Sequence, residues 1–264
     1  MASRRVSRAI AATAVAVLAA GCESSGDVDG PDTLTVLAAA SLSRAFPDIG
    51  REFSEVSPGT VVRFSFAGTD ALAAQIEQGA PADVFAGAAT AYGDRLATAG
   101  LVGPVRPFCT NAIVLITPAG DTDTVGSPAD LASPGVSIVV SAPTVPAGAY
   151  AREAIAGLEE AYGPGFAARV LANVVSEELD VESVLAKVRL READAGFVYA
   201  TDAAAASGDV RTVALPPAAR VTAVYPIAPV ASSRHPEEAR DFVAFVLGPS
   251  GQRILSDAGF GAPA

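Results

Sequence analysis

The sequence predicts an α/β fold with two lobes, in which helices flank mostly parallel sheets and a ligand cleft lies between the lobes. Strand-like segments alternate with helices of about ten to fifteen residues, a pattern typical of parallel strands joined by right-handed crossovers. These strands are too numerous for one compact sheet with such short loops. A late strand is followed by two helices, which can pack back on the first part of the chain.

The first third of the chain contains three predicted strands and two predicted helices. The strands cover LTVLAAA (34–40), VVRFSFA (61–67) and DVFAG (83–87). Apolar residues at helical spacing follow the first strand from Leu42 to Phe53, and Ser57-Pro58-Gly59 ends that helix. Leu72 and Ile76 mark a short helix that ends at Gly79.

The rest of the chain repeats the alternation. Strands are predicted at 111–118, 136–143, 196–200 and 221–230, and helices at about 148–161, from Asp180 onward, at 236–247 and at 249–258. We expect the chain to cross between lobes near 108–112 and 220–224. One lobe then comprises 32–110 plus 222–264, and the other comprises 111–221.

The N-terminus has the pattern of a secretion signal. Residues 1–21 carry Arg4, Arg5 and Arg8, followed by an uncharged run that is too short to span a bilayer. The run ends in LAAGC, which resembles a bacterial lipoprotein box with Cys22 as the lipidated residue, although Leu18 lies one position further back than usual. Residues 22–31 then form a flexible tether. The alternative is an ordinary cleaved signal with an incidental cysteine.

The net charge of −11 limits the possible partners. Without residues 1–21, 15 basic and 29 acidic residues leave −14. Such a surface repels nucleic acid and anionic lipid, so neither is an expected partner. Solubility alone also explains the charge. If the ligand is an anion, local dipoles must hold it.

Five strand-to-helix joins can offer hydroxyl or backbone N–H donors. They are Ala39-Ala40-Ser41, Gly68-Thr69, Pro146-Ala147-Gly148, Val181 after the capping Asp180, and Tyr199 at a strand end. A helix start exposes backbone N–H groups and the positive end of the helix dipole, which favours an anion. Each join alone has a plainer explanation, such as an N-cap, a turn or a core residue. All the donors are neutral, which favours a fully deprotonated oxyanion.

Enzyme chemistry has little support. The single histidine, His235, lies in a polar turn, and neither a G-x-S-x-G motif nor a histidine pair for zinc is present. Cys109 precedes the apolar run AIVLI and is expected to be a buried small hydrophobe. A secreted hydrolase is therefore the disfavoured alternative, and we expect neither a cofactor nor a metal cation.

These segments also resemble the molybdate-binding proteins of bacterial ABC importers. The similarity is strongest in TVLAAASL, FSFAGTDALAAQIEQGAPADVFAG, VPAGAYAREAI, LDVESVLAKV and EADAGFVYATDA, and it runs from about Thr33 to Phe260. The resemblance implies a type II periplasmic-binding-protein fold. It implies that hydroxyl and backbone N–H groups hold a tetrahedral oxyanion, with the ligand positions Ser41, Thr69, Ala147, Val181 and Tyr199.

The function implied by the resemblance is capture of molybdate, and also of tungstate, by a monomeric lipoprotein anchored to the cell membrane through Cys22. Its partners would be an ABC permease and its ATPase. Two alternatives stay open: the same fold binding sulfate or another tetrahedral oxyanion, and a surface sensor domain without transport. Two residues depart from the family pattern, Thr69 where Ser is frequent and Glu182 where many members have Arg.

Overall fold

A computed structural model describes residues 32–120 and 124–263, which form a mixed α/β fold. The predicted signal segment, the tether and Cys22 lie outside the described residues. The strands in the described part are β1 (Asp32–Ala39), β2 (Thr60–Ala67), β3 (Val84–Ala86), β4 (Arg106–Pro118), β5 (Ile138–Ser141), β6 (Val174–Glu178), β7 (Ala195–Tyr199), β8 (Val210–Val213) and β9 (Thr222–Pro229).

Helices connect these strands. They are α1 (Phe46–Val56), α2 (Thr69–Glu77), α3 (Thr90–Thr98), α4 (Pro146–Tyr162), α5 (Phe166–Ala172), α6 (Val181–Arg189), α7 (Ala200–Ala205), α8 (Pro236–Leu247) and α9 (Pro249–Asp257). Short 3₁₀ turns cover Ala40–Leu42, Pro128–Ala132 and Pro217–Ala219. Within the described ranges, no helix has both the length and the apolar character needed to cross a bilayer.

The strands pair into one nine-stranded sheet in the order β2-β1-β3-β9-β4-β7-β5-β6, with β8 paired to β4. The expectation that they are too numerous for one sheet is wrong, because the long strand β4 pairs with β9 through its first half and with β7 through its second half. β1 pairs in parallel with β2 and β3, and β5 pairs in parallel with β6 and β7. The longest strand, β4, runs antiparallel to its neighbours. It pairs with β9 up to Ala112 and with β7 from Ile113 onward. The change of partner falls close to the predicted crossing, and the assignment of residues to two lobes stays a prediction.

An aromatic cluster packs helices against the first half of the sheet. Phe53 of α1 contacts Phe242 of α8, with ring centroids 5.3 Å apart, and Phe46 contacts Phe108 of β4 at 5.9 Å. The first contact is edge-on and the second is tilted, and aromatic pairs of this kind stabilise a core beyond the burial of apolar area. The two late helices thus pack against α1, as expected. Cys109 of β4 is fully buried, also as expected.

The α/β class is confirmed, and most predicted elements are present with ends shifted by a few residues. The helix predicted from Leu42 is wrong at its start, because Ala40–Leu42 form a 3₁₀ turn and α1 begins at Phe46. Pro47 explains the shift, since proline lacks an N–H and is tolerated only in the first turn of a helix. Five elements were not predicted: α3, α5, β6, α7 and β8.

Candidate functional site

A small cavity lies beyond the carboxyl ends of β1, β2, β5, β6 and β7. Ligands of open α/β sheets bind at this edge. Its volume is about 10 Å³, far below the several hundred Å³ of a pocket for a drug-sized molecule. The lining residues are Ala39, Ala40, Ser41, Ala67, Gly68, Thr69, Ala88, Val145, Pro146, Ala147, Asp180, Val181 and Tyr199.

All five residues predicted as ligands line this one cavity. Ser41 lies in the 3₁₀ turn after β1, and Thr69 and Val181 are the first residues of α2 and α6. Ala147 is the second residue of α4, and Tyr199 ends β7. None of the five is more than 3% exposed. The structure therefore brings together positions that are up to 158 residues apart in the chain.

Two glycines allow the backbone to close around the cavity. A Cβ atom at Gly68 would lie 2.6 Å from the carbonyl oxygen of Leu179, which precedes α6. A Cβ atom at Gly148 would lie 2.1 Å from the carbonyl oxygen of Ala142. Neither distance is sterically possible for a side chain. Glycine at these two positions therefore lets the helix starts approach the neighbouring chain.

The starts of α2, α4 and α6 all face the cavity through lining residues. The first N–H groups of a helix have no acceptor within the helix, and they carry the positive end of its dipole. Pro146 occupies the first position of α4, where its missing N–H costs nothing. Ala147 and Val181 can thus contribute only backbone groups, which agrees with their lack of polar side chains.

Three hydroxyl groups complete the donor set. Thr69 Oγ1 accepts a hydrogen bond of 3.0 Å from the backbone N–H of Ala88. Ser41 Oγ lies 2.8 Å from Tyr225 Oη, and either atom can be the donor. The Tyr199 hydroxyl has no hydrogen-bond partner of acceptable geometry among the described residues. The plainer explanation of Ser41 as a helix cap is wrong, because Ala39 and Ala45 occupy the N-cap positions of the 3₁₀ turn and of α1. The Ser41 side chain bonds Tyr225 instead.

Tyr199 and Tyr225 form a buried aromatic pair behind the cavity. Their ring centroids are 5.7 Å apart in an edge-on arrangement. Burial raises the pKa of both phenols well above the usual value near 10. Both hydroxyls therefore stay protonated at neutral pH and can act as donors.

Glu182 does not simply point to solvent. Its Oε2 lies 3.8 Å from Arg44 Nη2, and its Oε1 is buried without a hydrogen-bond partner in the described part of the chain. Burial raises the pKa of Glu182, while Arg44 opposes this shift and Asp180 adds to it. The acid beside the site is thus partly offset by an arginine that follows Ser41 in the chain.

A second acid, Asp202 in α7, is almost fully buried. Its Oδ2 accepts a 3.2 Å hydrogen bond from the backbone N–H of Tyr199. Burial, followed by the charge of Glu182, raises the pKa of Asp202 from 3.8 to about 8. A protonated Asp202 leaves the neighbourhood of the cavity less negative at neutral pH.

Rim contacts join the segment after β5 to α2 and α3. Thr144 Oγ1 donates a 3.0 Å hydrogen bond to Asp70 Oδ2, and the Tyr92 hydroxyl donates to the carbonyl oxygen of Thr144. These rim contacts, together with the pair Arg44–Glu182, connect the elements that supply Thr69 and Ser41 to those that supply Ala147 and Val181. The cavity is thereby held closed on two sides.

Sequence reasoning missed the residues that act from outside the cavity or from a short loop. Tyr225, Asp202 and Arg44 were not singled out, and neither was Ala88. Ala88 lies two residues after the end of β3, so its position near a strand end was a usable signal. Tyr225 lies inside a strand and is 184 residues from Ser41, so no local pattern indicates their contact.

The lining residues offer hydrogen-bond donors for a small anion and no basic side chain. Lys, Arg and His are absent from the lining residues, and its one acid, Asp180, accepts a hydrogen bond from Ser183 at the start of α6. The described ranges contain no cluster of His, Cys, Asp and Glu suited to a metal ion. Hydroxyl and backbone N–H donors that converge on one cavity suit an anion.

Comparison with known proteins adds independent information. The family model of bacterial extracellular solute-binding proteins matches residues 34–261. The chain is 44% identical over 239 residues to the molybdate-binding protein ModA of Mycobacterium tuberculosis, covering 90% of this chain and 88% of that protein. It is 30% identical over 263 residues to a putative ABC transporter substrate-binding lipoprotein of Bacillus subtilis, covering 96% of each.

A solved structure shows the same fold. The substrate-binding domain of a putative molybdenum ABC transporter from Clostridium difficile superposes with a TM-score of 0.65 at 29% identity. The match covers 88% of this chain and 99% of that domain.

Proposed function

Because the chain belongs to the bacterial extracellular solute-binding protein family, we propose that it captures molybdate outside the cytoplasm and delivers it to an ABC importer. The resemblance found in the sequence is confirmed at the level of the family by the relative at 44% identity. Members of such a family serve transport, which argues against an enzyme. The partners are then a permease and its ATPase, and the ligand is a small anion.

One observation supports a tetrahedral dianion as the ligand. The five residues that the resemblance implies as ligands line one small cavity, and the groups they offer are N–H and O–H donors. A tetrahedral dianion without a proton satisfies these donors, and tungstate has the same charge and shape as molybdate. An amino acid or a sugar needs a much larger pocket.

Lipid anchoring is part of the same proposal. The LAAGC segment places a cysteine after small residues at the end of the signal. The Bacillus subtilis relative, which aligns over 96% of this chain, is named a lipoprotein. Lipid on Cys22 would keep a monomeric binding protein close to its permease while the tether leaves it free to move.

Calorimetry with molybdate, tungstate, sulfate and phosphate tests the ligand. We expect molybdate and tungstate to bind one to one, with affinity that changes little in moderate salt, because enclosed dipoles are poorly screened. Sulfate should bind more weakly, and phosphate, which carries a proton at neutral pH, weakest of all. Clear binding of sulfate without any binding of molybdate would favour the sulfate alternative and refute the molybdate assignment.

A further inference from the structure

We propose that Tyr225 is a positioning residue that fixes the direction of the Ser41 hydroxyl, so that the cavity offers its anion only hydrogen-bond donors. This inference rests on the proposed function, since it concerns the same cavity. It adds a residue that does not line the cavity and gives a physical reason for selecting anions by protonation state.

The position of Tyr225 is rigidly defined. The side chain is 0% exposed, and its ring packs edge-on against Phe108, Tyr199 and Phe260 at centroid distances of 6.2, 5.7 and 5.7 Å. Its Oη lies 2.8 Å from Ser41 Oγ. The ring cannot turn away, so the phenol and the serine hydroxyl stay paired.

The number of available protons decides which hydroxyl donates in the Ser41–Tyr225 hydrogen bond. Each hydroxyl has one proton, and only one of the two can donate within the pair. If Ser41 donates to Tyr225, Ser41 presents lone pairs to the anion, which repels it. If Tyr225 donates to Ser41, the serine proton is free for the anion. The Tyr199 hydroxyl, which has no hydrogen-bond partner among the described residues, also keeps its proton for the anion.

Thr69 is arranged in the same way by the backbone. Its Oγ1 accepts the N–H of Ala88, which occupies a lone pair and leaves the proton for the cavity. The two hydroxyls at the ends of β1 and β2 are therefore both turned into donors, one by a phenol and one by an amide. An anion that carries its own O–H finds no acceptor there, and that unpaired donor weakens its binding.

The test compares two dianions of similar shape, monofluorophosphate and hydrogen phosphate, of which only the second carries an O–H. In the wild type, monofluorophosphate should bind at least tenfold more tightly. In Tyr225→Phe, the Ser41 hydroxyl can turn and accept the O–H of hydrogen phosphate, so the ratio of the two affinities should fall to about threefold or less. Molybdate affinity should drop about tenfold. Tyr162→Phe, which removes an exposed phenol from the end of α4, should leave both values unchanged.

A double-mutant cycle distinguishes a loss of the Ser41 hydroxyl's orientation from a general loss of structure. In a Ser41→Ala background, Tyr225→Phe should have no further effect on molybdate affinity, because the hydroxyl that Tyr225 directs is gone.

Equal binding of monofluorophosphate and hydrogen phosphate by the wild type would overturn the proposal, even if Tyr225→Phe did not fold. An unchanged ratio in a folded Tyr225→Phe would overturn it as well. A wild type that selects by protonation but ignores molybdate would refute the proposed ligand and leave the inference intact.

Discussion

Thr69 Oγ1 and the backbone N–H of Ala88 are joined by a buried hydrogen bond of 3.0 Å. The bond ties the first residue of α2 to the segment after β3. The methyl group of Thr69 faces Gly87, and its hydroxyl oxygen accepts the N–H of Ala88. The hydroxyl proton is therefore the group that remains for a ligand.

Replacing this hydroxyl should therefore affect binding and stability together. In Thr69→Val, the bound anion loses a charge-assisted hydrogen bond worth about 1.5–3 kcal/mol, so molybdate affinity should fall roughly tenfold to a hundredfold. The buried N–H of Ala88 also loses its acceptor, and the free energy of unfolding should fall by about 1–3 kcal/mol. Calorimetry and urea unfolding measure the two effects.

Thr69→Ser is the matched control, because it keeps the hydroxyl and removes only the methyl group. Its affinity should stay within about twofold of the wild type, a difference below half a kcal/mol. If valine and serine weakened molybdate binding equally, the role of the hydroxyl as a ligand would be refuted.

Glu182→Gln should strengthen anion binding. The substitution removes a negative charge one residue from Val181 while keeping the size of the side chain. The Glu182 carboxylate repels an anion in the cavity, and removing its charge should raise the affinity for molybdate by roughly threefold or more. Titrations at low and moderate salt measure the gain, which should shrink as salt is added. Glu160→Gln, at the exposed far end of α4, should produce no gain, and an equal gain there would point to the net charge of the protein instead.

The raised pKa of Asp202 makes stability depend on pH. The unfolded chain releases this proton near pH 4, whereas the folded protein holds it until about pH 8. The folded state thus binds the extra proton between these values, and the contribution of Asp202 to the free energy of unfolding falls as the pH rises from about 4 to about 8. Glu182 reinforces this shift and Arg44 opposes it.

Asp202→Asn removes the titrating group but keeps an oxygen that can accept the N–H of Tyr199. Relative to the wild type, the variant should therefore gain stability as the pH increases from 5 to 8. Urea unfolding at several pH values measures this difference. Asp241→Asn, at an exposed position of α8, serves as the control. A constant difference between Asp202→Asn and the wild type across this range would show that Asp202 is ionised in the folded protein.

Cys22→Ser tests the anchor without touching the cavity. We expect the variant to leave the membrane fraction, while the affinity of the released protein for molybdate stays at the wild-type value. Fractionation followed by calorimetry measures both. Retention of the variant in the membrane fraction would show that the lipid is attached elsewhere or is absent.

The sequence was informative wherever a local pattern decides the structure. The strand before Ser41 and the Asp180 cap of α6 both follow from patterns within a few residues. The elements that were missed lack such patterns. β8 has four residues and, among the described strands, pairs only with β4, and β6 lies at the edge of the sheet. In α3, only Gly93 and Leu96 are buried, so its apolar stripe is too weak to recognise.

The same distinction applies to the site. Ser41, Thr69 and Val181 were identifiable because each follows a strand end at the start of a turn or helix. Tyr225 is set by the pairing of β9 with β4, which decides which strand lies behind Ser41. The burial of Asp202 likewise depends on how α7 packs against β4 and β7. Contacts between distant segments of this kind arise from tertiary packing, which no short window of sequence reports.

The rim contacts have a consequence for the kinetics of transport. The ligand positions are at most 3% exposed, so we expect an anion to pass in or out when the hydrogen bonds from Thr144 and Tyr92 have separated. The time that the anion stays bound is then governed by how often these rim contacts open. The observed rate of binding should reach a plateau as the molybdate concentration increases. A permease that separates the rim would move the donors on one side of the cavity away from those on the other, and would thereby release the anion.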